Sequence, residues 1–476
     1  MPPNFKTIFV PQWLDHTDQL TTWHIYLYSL AGGISTATLF YSHPILTLIA
    51  RSFHTTNLHV SNIPALASLG DATGLLLLLP LADYFPRRRF VLTLLSLTIL
   101  FWTGVCITSS LLWFQICSYC SAVTASIIQI FQVLVAEKAP PEQKARYIST
   151  VTIGPSFGIL IARILSGVVA NYLPWRDVYY TALILQITML VLLWIYMPDH
   201  EALNPITTKE TIKRYPGIVL DVLRCYQHPA LVQVGSITML SAFSVASFWT
   251  TITFLLSSRY HFSTMTIGLF GMIGIATMSL AQVYRRYVIQ PVDSPLISAA
   301  VGKSVSILGV AIGLAGTRHV WALVVQALLL DAGLVIVQIS NRMRLSEIDR
   351  QKGNCMNTAF VVMQYCGMLI GTKVGNAVYA TQGWTASGGI SLGVLGLAYF
   401  IILVRGPYET GFVGWKGGWR NQQRCNDEER EICRRDPADS NERTPLLKGR
   451  PLMVKTSSVE IVPQRPVIVQ RRSYIG

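Results

Sequence analysis

The chain has 476 residues, of which 51% are hydrophobic and only 13% charged, and it carries a formal net charge of +14. Soluble domains average about 25% charged residues, so this composition excludes an ordinary globular enzyme or binding module and points to a membrane. The positive balance does not argue for nucleic acid, because the cations sit in short loops between apolar runs and in a polar tail, with no recognised binding module beside them.

Residues 1–22 are polar and mixed, and the first apolar run is too long for a cleavable signal peptide. A helix crosses the hydrocarbon core with about 20 apolar residues. Runs of that size occur at 23–50, 62–82, 90–110, 112–136, 148–170 and 177–197, then at 230–256, 264–283, 294–316, 320–340, 355–379 and 385–404. The long polar interruption 198–229 divides them six and six. The expected organisation is an N-terminal segment 1–22, a six-helix bundle 23–197, a linker 198–229, a second bundle 230–404 and a largely disordered tail 405–476. Phe412, Trp415 and Trp419 at the start of that tail suit a membrane interface.

Loop charge gives an orientation. One set of loops holds Arg87, Arg88 and Arg89, then Lys138, Lys144 and Arg146, the linker cations, Arg285 and Arg286, and finally Arg342, Arg344, Arg350 and Lys352. The opposite set holds only Arg51, Arg176, Arg259 and Arg318. The positive-inside rule puts the first set, the linker and both termini in the cytosol. The eight cysteines lie mostly in or beside apolar runs, at spacings unlike a secreted disulfide framework. Cys117-Ser-Tyr-Cys120 stands without a second pair or a neighbouring His, so it reads as helix packing rather than zinc or redox chemistry. No metal or cofactor is implied.

The most telling stretch joins the second and third runs: Pro80-Leu81-Ala82-Asp83, then Arg87, Arg88 and Arg89 in a tight turn. Asp83 stands at the C-terminal, negative end of a helix dipole, which disfavours an acid unless a cation compensates. The stretch resembles the loop between helices 2 and 3 of the major facilitator superfamily in its drug-exporter form, although Leu79, Tyr84 and Pro86 depart from it. Tyr41-Ser42-His43-Pro44, Gly154-Pro155-x-x-Gly158, Trp175-Arg176, Ser247–Thr251, Asn341-Arg342 and Arg405-Gly406-Pro407-x-Glu409 resemble bacterial exporters and their fungal relatives, over roughly residues 23–419. In the exporter motif of helix 5 a second glycine is expected where this chain has Ile159. The resemblance implies an all-α membrane protein of twelve helices in two bundles, with Asp83, Arg87, Arg88 and Arg89 acting as a latch between bundles. The bland alternative for these arginines is a topology signal alone. Tyr284-Arg285-Arg286 is a weaker counterpart in the second half, as an internal repeat would supply.

Ionisable residues inside spans cost about 2.5–3.5 kcal/mol each on insertion scales, so each invites a functional reading. Asp71, Arg163, Lys303, Asp331 and Lys373 stand out. Counting residues along antiparallel helices pairs Lys303 with Asp331 at similar depth, and Asp71 with Lys373 at the junction of helices 2 and 11. Each pair serves either as a proton site or gate, or as static neutralisation. Arg163 either attracts an anionic substrate or bonds helix carbonyls. By the resemblance, helices 1, 4, 7 and 10 line the central cavity. Gln129 and Gln132, Trp249 and Thr250, and Gln338, one face round from Asp331, therefore join Arg163 as substrate-cavity candidates.

The function expected is secondary transport of a small organic molecule, with proton-coupled export of a metabolite or drug-like compound leading. Uptake or organellar transport is the runner-up, and a non-transporting receptor the alternative of another class. An enzyme or primary pump is disfavoured, since H-E-x-x-H, G-x-S-x-G and Walker loops are absent. The expected partners are the substrate, protons and the bilayer. A sorting adaptor would be added if Glu442, Leu446 and Leu447 form an acidic dileucine signal rather than part of a structureless tail. The plasma membrane is the default site, the vacuolar membrane the alternative.

Overall fold

The computed structural model describes residues 20–140, 143–199, 208–274, 277, 295–348, 353–406, 409 and 411–415. Residues Met1–Arg420 form one compact unit, and the remaining 56 residues, with Glu442, Leu446 and Leu447, lie outside the described residues. Among the described residues the secondary structure is helical, apart from one isolated bridge between Arg405 and Gly414.

We number the helices by the span they serve: α1 (Thr22–Ala37), α2 (Asn62–Leu77), α3 (Arg87–Ile107), α4 (Leu111–Lys138), α5 (Lys144–Tyr172) and α6 (Trp175–Tyr196). After a linker helix (Thr208–Arg224) come α7 (Pro229–Ser258), α8 (Thr264–Leu269), α9 (Pro295–Ala315) and α10 (Val320–Ile348). The run Gly353–Val404 is split at Gly383, whose φ of +81° breaks the helical path, into α11 (353–382) and α12 (384–404). Every expected span falls on helix, the eighth only as far as it is described. Among the described residues eight stretches are long and apolar enough to cross a membrane, the last of them the 50-residue run Cys355–Val404. The first two spans miss that standard because they are broken. Pro44 opens a 3-10 turn after α1, and Pro80 opens another, Leu79–Asp83, after α2. The linker, expected as a plain polar stretch, holds a helix that packs Val222 against Leu75 of α2, Leu345 of α10 and Phe360 of α11.

Glycine decides which helices touch closely. Membrane helices associate through close backbone approach rather than through a hydrophobic drive. Gly33 of α1 meets Gly158 of α5 so tightly that an added Cβ at Gly158 would come 2.7 Å from the Gly33 Cα. The second half repeats the arrangement, with Gly367, Gly371 and Gly375 along one face of α11 against Met239, Phe243 and Ser247 of α7. The equivalence of α1·α5 and α7·α11 is what an internal repeat requires. It also gives the Gly154-Pro155-x-x-Gly158 pattern a physical meaning: α5 must lie on α1, whereas Ile159 packs into the apolar core beside it.

Two other motifs are structural ties. Arg176 at the start of α6 donates to the carbonyls of Thr108 (2.9 Å) and Cys106 (3.3 Å), satisfying the open end of α3 while its guanidinium lies against Trp175. Arg405, just past α12, donates to Gln233 Oε1 (3.0 Å), to the Gly411 carbonyl (2.7 Å) and to the Glu409 carbonyl. Arg405→Ala strands all three acceptors, and buried acceptors cost about 1–3 kcal/mol each. The expected result is a clear fall in melting temperature of the purified protein, with Arg405→Lys falling less.

Candidate transport site

Two polar networks cross from the first six helices to the second. The first begins with Gly70 and Gly74, which bring α2 so close to α4 that an added Cβ at Gly74 would lie 2.9 Å from Ser126 Oγ. Between them Asp71 is buried, and its carboxylate accepts a hydrogen bond from Ser126 Oγ (2.6 Å). Ser126 is available because α4 is interrupted at Ala125–Ser126, between Leu111–Thr124 and Ile127–Lys138. From the other half, Tyr365 of α11 faces the same carboxylate, and Arg342 of α10 lies near that tyrosine. Arg342 was expected in a loop but extends α10, with its guanidinium 6.0 Å from the Phe360 ring centroid.

The second network is central. Arg163 of α5 is buried, its guanidinium carbon 3.8 Å from the Trp249 ring centroid on α7 and 5.5 Å from that of Phe40. The indole Nε1–H of Trp249 donates to Asp331 Oδ1 of α10 (2.9 Å). One aromatic ring thus carries a cation on its face, where the quadrupole is negative, and a carboxylate at its N–H edge, where it is positive. Next to Trp249, Thr250 donates to the Ala246 carbonyl (2.7 Å) and accepts from Asn376 Nδ2 of α11 (2.9 Å).

Neither expected charge pair forms. Lys373 is exposed and donates to Asn62 Oδ1 at the start of α2, while Asp71 meets Tyr365. The helices are the expected ones, but their outer ends are not level: Lys373 lies beside Asn62, the first residue of α2, so α11 overhangs α2 and a residue nearer its start comes level with Asp71. Tyr365 and Lys373 are eight residues, or about 12 Å, apart along α11. Lys303 is fully buried and donates to Ser241 Oγ of α7 rather than to Asp331. Gly302 faces Gly333 where α9 meets α10. At about 100° per residue, Lys303 turns toward α7, and Asp331, two residues before Gly333, turns away from α9. Of the other cavity candidates, Gln129 is buried with its Oε1 lacking a partner among the described residues. Gln132 donates to Thr152 (3.4 Å), and Gln338 is half-buried on α10. Ser126, Tyr365, Phe40 and Asn376 were missed as site residues. The signal for the first lay in Gly70-Asp71-x-x-Gly74, an acid placed on the closely packed face of a helix.

At the loop after α2, Arg87 is buried and paired with Glu137 at the end of α4 (3.0 Å), and Arg88 is buried and donates to the Trp194 carbonyl of α6 (2.5 Å). Arg89 is exposed, and the side chain of Asp83 lies outside the described residues, as do Tyr284, Arg285 and Arg286. A cleft of about 190 Å³ lies between this loop (Pro80, Tyr84, Arg87), the linker helix (Asp221) and the start of α11 (Asn357, Thr358). At the opposite end a larger cleft of about 510 Å³ is lined by Phe254, Arg259, Asn376, Tyr379 and Trp384.

Residues 28–372 match the Major Facilitator Superfamily. The chain is 28% identical to "Uncharacterized transporter YgaY" of Escherichia coli O157:H7, over 84% of this chain and 97% of that protein. It is 27% identical to "Probable transporter SCO4007" of Streptomyces coelicolor, over 75% of this chain and 82% of that protein. Solved structures of similar fold include a peptide transporter POT (TM-score 0.67, 12% identity, 83% of this chain and 97% of that one). Another is the human organic anion transporter MFSD10 (0.58, 16%, 79% and 97%). With the family match spanning most of the helices and the relatives being transporters, the chain belongs to the Major Facilitator Superfamily and is a multi-pass membrane transporter, not an enzyme.

Proposed function

We propose that this transporter moves a small organic molecule by alternating access, coupled to protons, in the direction of export. The observation that carries the coupling is the carboxylate of Asp71, held between Ser126 of the first half and Tyr365 of the second. A proton arriving there changes the charge that Ser126 and Tyr365 face from the two halves, so protonation and conformation are linked. In this reading the six helices on either side of the linker, 23–197 and 230–404, move as two bodies. Arg87 and Asp83 sit at the cytosolic hinge, and Arg163, Trp249 and Asp331 line the path. Export rests on the similarity of the helix-5 pattern to exporters. The relatives found are bacterial, so the fungal affinity suggested by the shorter motifs belongs with this proposal, as do the plasma-membrane location and the tail's sorting signal.

The test is purified protein in vesicles with an imposed pH gradient, screened against candidate metabolites. Flux that follows the gradient and reverses with it supports the reading, and substrate flux indifferent to pH sinks proton coupling. Lys373→Gln provides a contrast. Because Lys373 is exposed and, among the described residues, bonded only to the first residue of α2, its loss is expected to change flux less than about threefold, in line with the small value of exposed polar pairs.

A further inference from the structure

The chemistry of the central site depends on what Arg163 lacks. A buried guanidinium normally finds carboxylates or carbonyls for its five donors. Here Arg163 is more than nine-tenths buried, and its Nε has no acceptor among the described residues. The nearby carboxylate of Asp331 does not fill the fork, because it is held at the far edge of the Trp249 indole. Among the described residues its close neighbours are aromatic: the guanidinium carbon lies over the rings of Trp249 and Phe40. The Nε–H, on the edge that recognises planar anions in bidentate fashion, is left over. His43 stands beside Phe40, with ring centroids 5.2 Å apart, and its Nδ1 also lacks a partner among the described residues.

The surroundings make room for this arginine. Gly271 faces its side chain, where an added Cβ would stand 3.0 Å from Arg163 Cβ, and Gly268 lies against the Arg163 carbonyl. A role as a tie between helices would bond the guanidinium to carbonyls, as Arg176 and Arg405 do elsewhere in this chain. Arg163 has aromatic walls instead of acceptors.

We propose that the Arg163 site takes an organic anion: a carboxylate or similar planar oxyanion on the guanidinium Nε edge, with an aromatic or other flat apolar body beside it against the aromatic walls. This assignment rests on the transporter reading and names the substrate class of the same site. It makes Arg163 the specificity-determining residue, with Phe40 supplying affinity without charge selection.

The test is binding, measured apart from transport. Full-length protein in nanodiscs is titrated with benzoate, benzamide and benzylammonium up to 10 mM by ligand-observed NMR. Charge-assisted hydrogen bonds are roughly twice as strong as neutral ones, so benzoate should bind about tenfold or more tightly than either isostere. Arg163→Gln should erase that preference, Arg163→Lys should keep part of it, and Phe40→Leu should weaken benzoate and benzamide alike. Wild-type protein that binds benzoate no better than benzamide, including binding neither, overturns the assignment, as does a preference that survives Arg163→Gln. Proton-driven flux of a neutral or cationic compound alongside that result would overturn the anion and spare the transporter reading. Anion preference with flux indifferent to pH would do the reverse.

Discussion

Replacing Asp71 by Asn is expected to reduce flux driven by a pH gradient by about 10- to 100-fold. That range corresponds to the 1.5–3 kcal/mol of a hydrogen bond to a charged group. The substitution keeps shape and can still accept from Ser126 and Tyr365, so the α2·α4 and α2·α11 contacts persist and the protein should reach the membrane at normal levels. What it removes is the change of charge. A carboxylate that gains a proton loses its charge and gains an O–H donor while still able to accept, and with its neighbours on α4 and α11 the change is felt by both halves. Tyr365→Phe should give a smaller loss of the same kind, because Ser126 remains. The discriminating measurement is substrate exchange at equal pH on both sides. Exchange retained by Asp71→Asn while gradient-driven flux collapses places the acid in coupling. Equal loss of both would make it part of the substrate path, and undiminished driven flux would remove it from the mechanism.

The fold was legible because span length is fixed by the bilayer and loop charge by topology, and both are one-dimensional signals. Among the described residues the runs from 23 to 404 fall on helix for that reason, the eighth only as far as it is described. Site residues were legible as types and as helices, but not as pairs. Asp71 does meet α11, yet through Tyr365, because counting depth from helix ends assumes that the ends are level, and α11 overhangs the start of α2 with Lys373 beside Asn62. Lys303 and Asp331 failed as a pair for rotational reasons, since depth along a helix says nothing of azimuth. Trp249 and Arg163 were each singled out, but their stacking joins α7 to α5 across the two halves, and no local pattern encodes that. Small-residue spacing was the underused signal. The glycines around Asp71 and along α11 mark faces that neighbouring backbones approach, and they would have located the first network.

That same spacing separates contacts that hold a half together from contacts that must open, and the two should respond differently to one substitution. An added Cβ at Gly371 would come 2.6 Å from the Phe243 Cα, inside the second half, which the proposed mechanism moves as one body. Gly371→Val therefore overpacks a permanent contact against backbone that cannot yield, costing about 1–3 kcal/mol or more. The expected outcome is poor accumulation or a lowered melting temperature. Gly268 makes an equally tight contact, its added Cβ 2.7 Å from the Arg163 carbonyl and 2.8 Å from the Gly167 Cα, but this crossing joins α5 of one half to α8 of the other. There the chain has a second option, to leave the crossing open. Gly268→Val should fold and instead shift the population of states, by about 5- to 150-fold for 1–3 kcal/mol of differential strain. The crossing lies toward the end of α5 and the start of α8, on the side of the larger cleft. A reporter made by Phe254→Cys, at a position that is 2% exposed in this structure, should become accessible to thiol reagents in Gly268→Val and not in the parent protein. Flux falls at the same time, since a transporter biased to one side completes fewer cycles. Should Gly268→Val lose stability as Gly371→Val does, with the reporter still protected, the α5·α8 crossing is a fixed seam and the moving boundary lies elsewhere.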